Sequence, residues 1–181
     1  MAWTPSSLNR FTRGFTLLEL LFTLILFSLV MSLSLVAFRA VFVKAELTLA
    51  RQNLEDLIEY ARAQSLARGK PVELCSSEDG QHCDDLKVRT EWRAKLLVLS
   101  DGQVLQSKTA FSSSLRVYWL AGFDRANNLH FETSGFIGAQ QGSFYLCPRA
   151  PFRYLAQALV VLRSGRLRLV DDYSMLADVC G

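Results

Sequence analysis

Arg13-Gly14-Phe15-Thr16-Leu17-Leu18-Glu19 opens an apolar run that continues to Phe38. From Phe15 to Phe38 there are 24 residues and one formal charge, Glu19. At the rise of an α-helix such a run is roughly 36 Å long, enough to cross a bilayer with some tilt. It is too long for the apolar core of a cleaved secretory signal. Arg10 and Arg13 precede it. Positive charge on that side keeps the N-terminus cytoplasmic and sends the rest of the chain outward. Glu19 is costly in this setting, by about 2.5–3.5 kcal/mol on insertion scales, and needs either a cation or a position from which it reaches the headgroups.

Outward from this stretch, residues 1–14 read as a leader and 15–38 as a membrane-spanning part of a helix. Residues 39–69 read as its amphipathic continuation and 70–181 as a β-rich globular domain. No Pro or Gly interrupts Arg39 to Arg68. Leu47, Leu54, Leu57, Ile58, Ala61 and Leu66 recur at helical steps and form one apolar stripe. Gly69 and Pro71 then stop the helix.

Beyond Lys70 the pattern changes to short alternating strands. These are expected near 71–75, 92–99, 103–107, 115–120, 129–132, 143–147, 158–163 and 166–170, with a turn at Ser100-Asp101-Gly102. The fold class is therefore α+β: a long N-terminal helix packed on two antiparallel sheets.

The chain has 181 residues, is 50% hydrophobic and carries a net charge of +3. The apolar run supplies much of that hydrophobic excess. Without Arg10 and Arg13 the 20 basic residues fall to 18 against 17 acidic ones, so total charge argues for no partner. Four cysteines, Cys75, Cys83, Cys147 and Cys180, point to disulfides in an oxidising compartment. Three pairings are possible; the favoured one is Cys75–Cys83, closing a loop around Asp79-Gly80, with Cys147–Cys180 tying down the C-terminus. The rival, a zinc site using His82, lacks the C-x2-C spacing.

Catalysis finds little support. His82 sits in a polar loop, and His130 alternates with Leu129 and Phe131 on a strand. Ser134-Gly135 lies in no nucleophile elbow. Gly135, Gly138 and Gly142 have the wrong spacing for a dinucleotide loop. Asp84-Asp85 and Asp171-Asp172 suit solvated turns. No enzyme activity, metal or cofactor is expected.

The informative charge pattern comes late. Between Thr133 and Val170 there is no Asp or Glu, while Arg149, Arg153, Arg163, Arg166 and Arg168 fall there. Phe144, Tyr145, Phe152 and Tyr154 interleave with the first two. A two-residue Ser164-Gly165 loop sets Arg163 opposite Arg166. Arg166 and Arg168 then share a face, with Leu167 and Leu169 turned into the core. Guanidinium forks suit phosphate oxygens, and an anionic partner relieves their mutual repulsion. The expected ligand is the phosphate backbone of a nucleic acid, contacted without base readout. The opposing reading is a charged strand edge that deters aggregation.

The Gly-Phe-Thr-Leu-Leu-Glu motif after a short basic leader resembles the class III signal of type IV pilins and type II secretion pseudopilins. That resemblance implies cleavage between Gly14 and Phe15 by a prepilin peptidase, and methylation of Phe15. Glu19 then becomes the fifth mature residue, pairing with the N-terminal amine of a neighbouring subunit. Many major pilins carry a proline in this span, whereas Leu33 to Phe38 has none, so no proline kink is expected.

The run Ala61-Arg-Ala-Gln-Ser-Leu-Ala-Arg68-Gly-Lys-Pro-Val-Glu-Leu-Cys75, the later Asp79-Gly80 with Cys83, and Ser164-Gly-Arg-Leu-Arg168 are similar to the GspH/FimT family of minor pilins and pseudopilins. The resemblance implies other pilins or pseudopilins as partners through the helix. It also implies an anchor in the bacterial inner membrane, a periplasmic C-terminal domain and incorporation into a pilus. The FimT type carries a C-terminal Gly-Arg-x-Arg motif implicated in DNA binding during natural transformation; here it is Gly165-Arg166-Leu167-Arg168. The alternative implied by the same family is a structural minor pseudopilin of a type II secretion system.

Overall fold

The computed structural model describes residues 15–84, 91–122, 128–138 and 140–181, with only the backbone described at 33–37. The leader with Gly14, and Asp85, lie outside the described residues. Helix α1 spans Leu17–Arg68. Thr16 caps it: its hydroxyl accepts from the Glu19 N–H at 3.2 Å and its carbonyl from the Leu20 N–H at 3.1 Å. Gly69, at φ +61°, ends it.

The chain divides into two compact units, the second being Ala40–Gly181. In the first, the apolar side chains from Leu17 to Met31 are exposed along the helix. Among the described residues no helix is long and apolar enough to cross a membrane.

The second unit holds the rest of α1 and, among the described residues, nine strands. β1 is Val72–Ser76, β2 Glu91–Trp92, β3 Lys95–Ser100 and β4 Gln103–Thr109. β5 is Leu115–Ala121, β6 Leu129–Phe131, β7 Gly142–Pro148, β8 Gln157–Val161 and β9 Leu167–Val170. One sheet has the order β4-β3-β1-β6 and the other β2-β5-β7-β8-β9. Every pairing is antiparallel. Asp101 and Gly102, both at positive φ, form the two-residue turn between β3 and β4.

The single strand expected at 92–99 is instead two. The chain leaves the second sheet after Trp92 and joins the first at Lys95. The Trp92 ring meets Phe144 of β7 edge-on, with centroids 4.9 Å apart, and this holds β2 on its own sheet.

One core unites the helix and both sheets. Leu47, Ala50, Leu54, Leu57, Ile58 and Ala61 of α1 pack with Leu74, Val98 and Phe131 of the first sheet and Val117, Phe144 and Leu159 of the second. Leu66, expected on this stripe, is 53% exposed. The inward position of the last turn, four residues past Ala61, belongs to Ser65, which is fully buried with its hydroxyl on the Arg62 carbonyl.

Both outer sheet faces are tied by disulfides. Cys75–Cys83 lies over Leu97 and Leu99. Asp79 organises that loop: its carboxylate accepts from the N–H groups of Gln81 (2.7 Å) and His82 (2.9 Å) and from the His82 ring. These bonds, the Gln81 amide foremost, hold its pKa far below the usual carboxylate range.

Cys147–Cys180 fastens a short helix that the sequence reading did not anticipate, α2 (Tyr173–Cys180). Asp172 caps it by accepting from the Ser174 N–H at 3.0 Å. Leu176 and Cys180 cover Ala156, Ala158 and Cys147. All four cysteines are in disulfides.

Candidate nucleic-acid interface

β8 and β9 pair with Val160 opposite Arg168 and Val161 opposite Leu167. One step further, the Leu162 N–H donates to the Arg166 carbonyl at 2.9 Å, and the Gly165 N–H donates to the Leu162 carbonyl at 2.7 Å. The loop is therefore Arg163-Ser164-Gly165, three residues long, with Gly165 in the left-handed region at φ +75°. This corrects the expected two-residue loop: Arg166 faces Leu162, and Arg163 sits in the turn with no cross-strand partner.

Arg166 and Arg168 do share a face, both exposed, on the outer side of the second sheet. Leu167 packs against the core as expected. Leu169 does not; it is 41% exposed, because β9 is an edge strand with no neighbour to cover its end.

The turn is pinned from two sides. The Arg163 carbonyl accepts from the Ile137 N–H at 3.1 Å. Gly165 is buried under α1: a Cβ there would lie 3.1 Å from Arg62 Cδ and 3.2 Å from the Gly135 carbonyl. The motif thus needs glycine twice over, for its φ and for its close approach. Gly165→Ala is expected to cost about 1–2 kcal/mol from the backbone conformation alone, read as a lower urea midpoint. A midpoint within error of the parent would show that the turn tolerates a side chain.

The fold brings two further residues to this turn that sequence spacing does not reveal. Arg62 comes from α1; its Nε is buried with no hydrogen-bond partner among the described residues. Phe136, 47% exposed, precedes the Ile137 that holds the turn. Among the described residues no carboxylate lies within 4 Å of Arg62, Arg163, Arg166 or Arg168.

Arg149 and Arg153 are not part of this cluster. Gly142, at one end of β7, pairs with Val161 near the turn, while Arg149 follows Pro148 at the other end. Six residue steps along a strand separate the two ends by about 20 Å. Arg149 shares a groove with Glu78, Glu91, Arg93 and Lys95, whose charges are mixed. Of the aromatics interleaved with Arg149 and Arg153 in sequence, Phe144 is core, Tyr145 packs beneath α2, Phe152 is half-buried and Tyr154, next to Arg153, is exposed. His130 projects outward, opposite Leu129 and Phe131, 3.5 Å from Glu73.

At the other terminus Phe15 is exposed and Glu19 occupies the first turn of α1. Thr16 and Glu19 have the spacing of a capping box.

A long helix with exposed apolar side chains from Leu17 to Met31, packed through its C-terminal half on two antiparallel sheets, defines a pilin-like filament subunit. Residues 50–165 match the family model described as type II transport protein GspH, and residues 9–35 match the prokaryotic N-terminal methylation motif. The chain belongs to the GspH family and carries the N-terminal methylation motif. Such subunits are structural, membrane-anchored and incorporated into the filament.

Two crystal structures of the Pseudomonas aeruginosa type IV minor pilin FimU share its fold. One superposes with a TM-score of 0.50 at 18% identity, covering 69% of this chain and 92% of that chain. The other gives 0.51 at 16% identity, covering 72% and 90%. A search of curated proteins finds no match. The GspH match ends at Gly165, so Arg166 and Arg168 lie just past it.

Proposed function

We propose that this chain is a minor pilin of a type IV pilus that binds double-stranded DNA through its phosphates during natural transformation. Prepilin peptidase cuts between Gly14 and Phe15, Phe15 is methylated, and Glu19 meets the N-terminal amine of a neighbouring subunit. The apolar run crosses the inner membrane once, with the globular unit periplasmic. Arg163, Arg166 and Arg168 hold the DNA backbone without base readout.

One observation carries the DNA reading: three arginines at one turn and strand end, with no carboxylate within 4 Å among the described residues. Exposed guanidinium groups with no carboxylate beside them suit phosphate oxygens. A retracting filament would then draw captured DNA toward the cell, and several copies on one DNA compensate for weak single contacts.

Fluorescence anisotropy of the full chain in non-ionic detergent tests this. Neutralising about three phosphates predicts a log–log salt slope near −2.7, so a fourfold rise in salt weakens binding roughly 40-fold. Arg166→Ala with Arg168→Ala is expected to abolish binding while the unfolding midpoint barely moves. No binding by the folded chain at low salt would sink the DNA reading.

The family description favours a second reading, a structural pseudopilin of a type II secretion system. Under it the same double substitution leaves function unchanged, and substitutions on the outward faces of the helix or sheets matter instead.

A further inference from the structure

Beside the arginine turn runs a groove of about 520 Å³, lined by Glu59, Arg62, Ala63 and Leu66 of α1 and by Gly165, Arg166 and Leu167. Its size falls within the ~300–1,000 Å³ of small-ligand clefts. Its chemistry is mixed in a way that phosphate binding alone does not explain. Two arginines line it, and Arg62 has no carboxylate within 4 Å among the described residues. Leu66 and Leu167 give it apolar walls. Glu59 is also present, and it would repel a phosphate.

A nucleotide satisfies all three features together. Its phosphate suits the guanidinium groups and its ring suits the leucines. An exocyclic amino group, such as that of cytosine, donates to a carboxylate like Glu59. A base held inside a duplex cannot reach such a groove, whereas the bases of a single strand turn outward and lie on apolar faces.

We propose that this groove receives one unpaired nucleotide of a DNA strand whose neighbouring phosphates lie on Arg163, Arg166 and Arg168. The proposal rests on the DNA reading above and refines it: the preferred substrate is DNA with a single-stranded end or stretch.

The test compares two labelled DNAs with the full chain in non-ionic detergent: a duplex with single-stranded tails, and a blunt duplex of equal phosphate number. The tailed DNA is expected to bind about tenfold more tightly. Ala63 is exposed on α1, and glutamine is a good helix former, so Ala63→Gln fills the groove without changing charge or fold. It is expected to bring the two affinities within about twofold of each other while blunt-duplex binding stays as in the parent. Equal binding of both DNAs by the parent, or a preference that survives Ala63→Gln, overturns the groove proposal and leaves the arginine site standing. Failure to bind either DNA overturns the DNA reading itself, and the groove proposal with it.

Discussion

Phe144→Ala lowers the unfolding free energy by about 3–5 kcal/mol, the usual cost of removing a buried phenylalanine. Phe144 is fully buried at the centre of β7, its ring centroid 4.9 Å from that of Trp92 and 4.4 Å from that of Trp119. The ring therefore joins β2, β5 and β7 in one cluster, and its loss leaves a cavity between two indoles that cannot both move in to fill it. Domains of this kind have only about 5–15 kcal/mol in total, so the variant should sit near the edge of folding. Equilibrium urea denaturation measures the loss. A change below about 1 kcal/mol would mean that the indoles repack and that the cluster is not what holds β2 in place.

Removing Cys147 and Cys180 together, each to alanine, is the second large expected loss. The bridged residues are 33 apart in sequence, and the loop-entropy relation gives about 4 kcal/mol for a loop of that size. The Cys75–Cys83 bridge spans 8 residues, and the same relation gives roughly 2.5 kcal/mol. The order of the two double variants is thus predicted. The first also frees α2, whose Leu176 and Cys180 cover Ala156 and Ala158, so amide exchange in β7 and β8 should rise. If the shorter bridge proves the more costly to remove, the loop argument fails and the Asp79 loop is the greater source of stability.

Much of the architecture was legible from local pattern. The stripe from Leu47 to Ala61 faces the core because helical period places those residues on one side. Asp101-Gly102 announces its turn because few residues tolerate positive φ. The last hairpin shows the limit of such reasoning. Ser164-Gly165 and Arg163-Ser164-Gly165 both end in a left-handed glycine, and sequence alone does not choose between them. The Ile137 N–H on the Arg163 carbonyl and the Arg62 stem against Gly165 hold the longer loop. Helix α2 was missed because it offers only Leu176 and Cys180 as buried residues, although Asp172 with Ser174 was a readable cap.

By itself the sequence determined the processing motif, the long helix, the α+β class and the arginine-rich end without carboxylates. Each is a matter of residue type and spacing along one element. Only the tertiary structure decided that Arg149 and Arg153 lie at the far end of β7 from that cluster, and that Arg62 and Leu66 of α1 border the turn. Periodicity states which face of an element is buried but not which other face it meets. That pairing is set by packing among residues about a hundred positions apart in the chain, here Arg62 and Gly165.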